Sequence, residues 1–252
     1  MVHLAIRLSR RTMSHLGRET FLTPVFWQDG WLIAGNRRMA ALECEGPLWE
    51  AQRTEYVMEP DFHRREWEPE WLFLRSPRQK AYERGEGELR LYPSPVRLSD
   101  GKNPVFAAVR QPDFSFELEV SFDFEPCGPG DEAGIAMVVS SQFHYCFVKK
   151  KTEEGIFLIL EKTAEDMRQE GCRISVPSGE LRLRIQGEKE YYHFSYSIDG
   201  KDYLEAAKAS TRFLACEVSG RCFTGTVLGL YAASDDKTEA VMRVRDFHIR
   251  TV

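Results

Sequence analysis

The sequence predicts an all-β protein, a two-sheet antiparallel sandwich preceded by a smaller strand-rich piece. Three observations carry this. Apolar and polar residues alternate with a period of two, most completely over residues 114–124, which puts Phe114, Phe116, Leu118, Val120, Phe122 and Phe124 on one face. Turn signals recur between the alternating runs, notably Pro129-Gly130-Asp131 and Asp199-Gly200. Helical signal is confined to one short stretch around residues 164–169. Many short strands with at most one helix point to a sandwich.

Taken in order, residues 2–7 (V-H-L-A-I-R) form an apolar strand-like run with no partner strand before it. Residues 16–35 read as two strands joined at Gln28-Asp29-Gly30. A lone hairpin is marginal in water, so this piece needs a sheet to belong to. Residues 1–50 are therefore expected to be the tail of a larger architecture, with most of its first domain absent. Residues 51–87 are polar, charged and tryptophan-bearing, and Pro60, Pro69 and Pro77 argue against a long helix. They are expected to form an extended connector, partly packed through Trp67, Trp71 and Phe73. Residues 88–252 hold the sandwich strands, at 88–92, 114–124, 134–139, 143–148, 156–160, 181–185, 191–198, 227–232 and 241–249.

Composition excludes several function classes. Net charge is −5, and the basic clusters Arg10-Arg11, Arg37-Arg38, Arg64-Arg65 and Lys149-Lys150-Lys151 are short, with acidic residues in reach. They read as solvated faces, so no nucleic-acid partner is expected. No run approaches the roughly 20 apolar residues of a membrane span. The N-terminal run is broken at Arg7 and followed by Arg10-Arg11, unlike a secretion signal, so a cytoplasmic location is expected. Six scattered cysteines without C-x-x-C spacing suit reduced thiols. The six histidines lack paired ligand spacing, so neither a metal nor another cofactor is expected. No G-x-S-x-G or phosphate loop occurs, and Asp199-Gly200-Lys201-Asp202 fits a hairpin turn better than a calcium loop. Trp67, Trp71, Tyr191, Tyr192 and Tyr196 are candidates for a sugar platform, although alternation turns at least half of them to the core.

The order of motifs is more specific than any one of them. L-G-R-E-T-F-L-T-P-V-F-W-Q-D-G-W (16–31), preceded by Arg7, resembles the last blade of the five-bladed propeller of glycoside hydrolase family 43 β-xylosidases and α-L-arabinofuranosidases. W-L-F-L-R-S-P (71–77), F-A-A-V-R-Q (106–111), D-E-A-G-I (131–135), Y-S-I-D-G (196–200) and F-T-G-T-V-L-G-L-Y (223–231) resemble the concanavalin A-like (jelly-roll) sandwich that follows it. The resemblance implies inverting hydrolysis by two carboxylates roughly 6.5–9.5 Å apart, tuned by a third. All three come from earlier blades, so no residue here is assigned a catalytic role, and Glu19 is structural in its motif.

Two residues match substrate contacts of that family. Arg7 aligns with an arginine that projects into the pocket, where its fork of donors suits sugar hydroxyls and a carboxylate; the usual following proline is Leu8 here. The alternative is a surface arginine at a strand edge. Phe223 matches a phenylalanine that the sandwich sends across to wall the pocket, the alternative being a core phenylalanine. His3 and His15 lie near Arg7 in sequence, with surface or core placement the simpler reading. In R-D-F-H-I (245–249) a histidine replaces the second aspartate of the related pattern. The expected function is an accessory sandwich of a family 43 glycosidase acting on xylose- or arabinose-containing oligosaccharides, incomplete alone. The alternatives are a subunit that completes a separate catalytic propeller, and an autonomous lectin-like module. Self-association through the N-terminal hairpin is a further possibility.

Overall fold

The structure, a computed structural model, describes residues 1–9, 12–35, 55–77, 79–220 and 223–252. Arg10-Arg11, Arg37-Arg38, Cys44, Cys222 and the rest of residues 36–54 lie outside the described residues.

The N-terminal piece holds two separate two-stranded ladders. Val2–Ala5 (β1) pairs with Glu19–Leu22 (β2), and Val25–Gln28 (β3) pairs with Trp31–Ala34 (β4). The opening run thus finds its partner downstream, and the first strand expected within 16–35 is two strands. Pro24, which has no N–H to continue a ladder, stands between them. The β3–β4 turn is the expected one, with Asp29 and Gly30 both in the left-handed region (φ 52 and 79), the requirement of a two-residue hairpin that follows strand twist.

The remaining strands are Val57–Met58 (β5), Leu72–Phe73 (β6), Tyr82–Gly85 (β7), Glu88–Leu91 (β8), Val105–Arg110 (β9), Phe116–Asp123 (β10), Glu132–Ser140 (β11), Phe143–Thr152 (β12), Gly155–Ala164 (β13), Met167–Ser175 (β14), Glu180–Gly187 (β15), Tyr191–Ser197 (β16), Leu204–Ser210 (β17), Val227–Ala233 (β18) and Met242–Thr251 (β19). They form two antiparallel sheets. One runs β17-β16-β15-β10-β19-β8-β7, with β5 also on β19; the other runs β14-β13-β12-β11-β18-β9-β6.

Alternation decides what lies between them. Phe116, Leu118, Val120 and Phe122 of β10 meet Ile135, Met137, Tyr145, Phe147, Leu228 and Leu230 in one buried cluster. Each fully buried large apolar side chain contributes about 1.5–3 kcal/mol, so this interface dominates stability. Strands β9, β11 and β18 are apolar at both parities because their outer face is covered too. Phe106, Ala136, Val138, Cys146 and Tyr231 form a second cluster there, under Leu98.

The stretch expected as a connector supplies strands to both sheets. Trp71 is buried in the main core against Phe247 (ring centroids 4.8 Å), and Trp67 meets Trp71 and Phe73 edge-on. The short helix expected around 164–169 is instead the β13–β14 hairpin. Ala164 pairs with Met167 across a two-residue turn in which Glu165 has φ 57. Pairing with β12 along the whole of β13 outweighs a weak local helical preference. The one α-helix among the described residues is a single turn, Cys216–Ser219 (α1). No described helix is long and apolar enough to cross a membrane.

Candidate functional site

Arg7 and Phe223 both lie where the N-terminal piece meets the sandwich. Residues 14–18 meet Cys216 and residues 223–226 in direct main-chain contact. Cys216 N donates to Ser14 O (2.8 Å), Thr226 N to His15 O (2.8 Å) and Arg18 N to Phe223 O (3.0 Å). Ser14 N donates to Glu217 Oε2 (2.8 Å), and Arg110 Nη2 reaches Leu16 O (3.1 Å). Gly17 and Gly225 make this approach possible, since a Cβ on Gly17 would stand 2.3 Å from Gly225 N.

Adjacent residues of the R-E-T motif hold one candidate each. Glu19 receives the Arg7 fork, Nε to Oε2 (2.9 Å) and Nη2 to Oε1 (2.7 Å), while Arg7 Nη1 donates to Asp113 Oδ1 (3.0 Å). Hydrogen bonding to Glu19, opposed by partial burial and helped by the Asp113 charge, pushes the guanidinium pKa up. Glu19 and Asp113 thereby take three of its five donors. Arg7 therefore joins β2 to the loop before β10, with Glu19 as its partner on β2.

Phe223 is 68% exposed, so it is not a core phenylalanine. Arg18 covers one face of its ring, Cζ 4.3 Å from the centroid, a cation–π contact that leaves the other face for a flat apolar partner. His15 is fully buried between Phe114 and Tyr192 (ring centroids 5.0 and 5.8 Å), and neither ring nitrogen has a hydrogen-bond partner. Burial pulls its pKa down to about 4, so it sits neutral. His3 instead bonds Thr23 Oγ1 through Nε2 (2.8 Å) beside β1.

The aromatic platform expected from sequence does not assemble. Tyr192 and Tyr196 are buried, Trp67 and Trp71 close a cluster with Phe73, and Lys208 Nζ lies 3.9 Å over the Tyr191 ring. Among the described residues no group of three or more His, Cys, Asp or Glu is placed to hold a metal ion.

A groove of about 410 Å³ lies apart from this junction, on the outer face of the larger sheet, and sequence reasoning missed it. It contains Glu59, Glu119 and Asp246, yet these do not compose a hydrolytic pair. Glu119 is ion-paired with Arg184 (Nε to Oε1 2.5 Å), and Glu59 faces His248 (3.2 Å). A glycosidase acid needs a carboxyl in apolar surroundings with its pKa raised. Elsewhere among the described residues, the carboxylates with a clear shift, Glu68, Glu83, Glu125, Asp131, Glu170 and Asp199, are all lowered.

Comparison with known proteins gives a consistent result. Residues 59–249 match the family described as beta xylosidase C-terminal concanavalin A-like domain. The chain is 27% identical over 243 residues to a non-reducing end alpha-L-arabinofuranosidase of Bacteroides ovatus, covering 93% of this chain and 45% of that protein. It is 25% identical over 245 residues to a xylosidase/arabinosidase of Butyrivibrio fibrisolvens, covering 94% and 47%. A solved GH43 protein of Bacillus licheniformis superposes with a TM-score of 0.86 over all of this chain and 50% of its own, at 24% identity, which speaks to fold. The chain thus spans about half the length of the curated relatives it matches.

Proposed function

We propose, from the premise that this chain belongs to the beta xylosidase C-terminal concanavalin A-like domain family, that it is the accessory β-sandwich region of a family 43 glycoside hydrolase. In this reading it walls the substrate pocket of a catalytic propeller and acts with it on xylose- or arabinose-containing oligosaccharides.

The observation that carries the reading is the exposed apolar surface of the first four strands. In the β1–β2 ladder Val2 stands opposite Leu22, and both are exposed with Leu4 on the same face. The β3–β4 hairpin is apolar on both faces, with Trp27 and Trp31 74% and 75% exposed. Rows like these are characteristic of strands that another sheet covers. They continue directly into the segment that carries Arg7 and leads to Phe223. A propeller seated on this surface would meet the Arg7 guanidinium and the exposed Phe223 ring, groups suited to sugar hydroxyls and to a sugar ring.

The same surface supports a second arrangement, in which the propeller is a separate chain. Adding the N-terminal propeller of a family 43 relative to the purified chain tests both. The expected result is a stable complex that hydrolyses an aryl xyloside or arabinofuranoside, with activity reduced about tenfold or more by Arg7→Ala, the loss of a charged hydrogen bond. No complex and no activity with propellers of several relatives would count against the proposal.

A further inference from the structure

The outer face of the larger sheet is a lattice of paired charges. Glu117 meets Arg250 (2.7 Å), Glu119 meets Arg184, and Glu180 meets Arg245 (2.8 Å). The lattice continues into the groove, which Glu119 and Arg245 line, but two donors there are left over. The Nε of Arg182 and the hydroxyl of Tyr203, both on residues that line it, are buried without a hydrogen bond. Such donors cost about 1–3 kcal/mol when unsatisfied, and ordinary solvated strand faces do not accumulate them. Both residues are themselves partly exposed; the Glu180 carboxylate is 3.9 Å from Arg182 Nε, and the Arg184 guanidinium lies 3.5 Å over the Tyr203 ring.

The strand geometry at the groove is also irregular. Ser121 of β10 faces Asp246 of β19, but Phe122 faces Val244, so Arg245 is an extra residue in a β-bulge. Arg245 and Asp246 consequently both point away from the core, where regular alternation would turn one of them inward. Bulges of this kind re-aim side chains beside binding sites. His248, which stands where the related pattern has an aspartate, lines the same groove two residues on.

The lining chemistry selects a class of guest. Two guanidinium groups (Arg182, Arg245) stand against three carboxylates (Glu59, Glu119, Asp246). With the partners just outside, Arg184 on Glu119 and Glu180 on Arg245, the balance is 3 − 4 = −1. Three of the four carboxylates already face arginine or histidine, so no strongly charged guest of either sign is selected. A guest that donates to carboxylates and accepts from guanidinium and hydroxyl groups, while bringing no charge, is polyhydroxylated. The volume falls in the range of small-ligand sites, about 300–1,000 Å³. We propose that this groove is a binding site for a short neutral oligosaccharide, separate from the Arg7–Phe223 junction. Because sandwich residues alone form it, the site stands or falls independently of the propeller reading.

Titration of the ¹⁵N-labelled full chain with xylotetraose tests this. Amide shifts are expected at Ser121, Arg182, Tyr203 and His248, with affinity weakened about tenfold by Arg182→Gln. Ser121→Trp, which fills the groove from an outward position, should abolish the shifts, and Arg7→Ala should leave them unchanged. Tetrasaccharides of glucose and arabinose serve as neutral comparators. No groove shifts with any neutral sugar, shifts that survive Ser121→Trp, or a response to charged oligosaccharides alone would overturn the proposal. Shifts confined to residues around Arg7 and Phe223 would overturn it while leaving the pocket-wall reading intact.

Discussion

Gly17→Ala inserts a methyl group where the N-terminal segment and the sandwich touch backbone to backbone. The new Cβ would lie 2.3 Å from Gly225 N and 2.6 Å from the Thr224 carbonyl carbon, so no rotamer change relieves the clash. Gly17 also holds φ 74, a left-handed conformation that costs an L-residue about 1–2 kcal/mol. Overpacking adds about 1–3 kcal/mol, for roughly 2–5 kcal/mol in all. The segment is held here by the amide bonds of Cys216, Thr226 and Arg18 and by the Ser14–Glu217 and Arg110–Leu16 bonds, each worth about 1 kcal/mol net, together with the burial of His15 and Leu16. The penalty therefore cancels much of this attachment, and the segment should open far more readily while the sandwich stays folded. Hydrogen exchange reads this directly. Protection of the Arg18 and Thr226 amides should fall by roughly two orders of magnitude, with β10 and β15 unchanged. Wild-type exchange at Arg18 and Thr226 would refute the reasoning.

Three further outcomes are expected. His15 and His144 are both pulled down to about 4, chiefly by burial. Unfolded imidazoles titrate near 6.5, so as pH falls below that value the unfolded chain binds protons that the folded chain refuses. Stability should decline between about pH 6.5 and pH 4, by roughly 3 kcal/mol per histidine at the acid end; urea midpoints across this range would show it, and His15→Phe should flatten the slope. Asp131→Ala removes a buried carboxylate that accepts from Ser234 Oγ (2.5 Å), Thr238 Oγ1 (2.8 Å) and the amides of Cys127 and Gly128. It should cost about 3 kcal/mol by denaturant unfolding, with Asp131→Asn intermediate. In the assembled enzyme, Phe223→Ala should raise KM more than it lowers kcat if the ring stacks on bound sugar.

Much of the sandwich was legible because burial on one face writes itself into alternation. Strand β10 is the clearest case, with Phe116, Leu118, Val120 and Phe122 inward and Glu117 and Glu119 outward. Strand β14 was not legible, since M-R-Q-E-G-C-R-I-S lies at a sheet edge and is mostly exposed, so no apolar row marks it. Residues 164–169 were misassigned because two turn residues leading into the edge strand β14 have little hydrophobic pattern to oppose a local helical preference. The R-E-T motif led to the junction, and its Glu19 and Arg18 do hold Arg7 and touch Phe223. Their mutual geometry depends on Gly17 meeting Gly225, a contact 208 residues apart in sequence (225 − 17) that no local pattern encodes. The groove was invisible for the same reason. Arg182, Tyr203 and Asp246 come from separate strands and loops, and in sequence each looks like one more solvated charge or turn residue.

The most direct test of the central claim is the turnover of aryl β-xylosides and α-L-arabinofuranosides by the purified chain alone. None is expected at any pH, because the described residues offer no opposed acid and base at a sugar site. Hydrolysis above the uncatalysed rate, lost on replacing carboxylates of this chain, would contradict it.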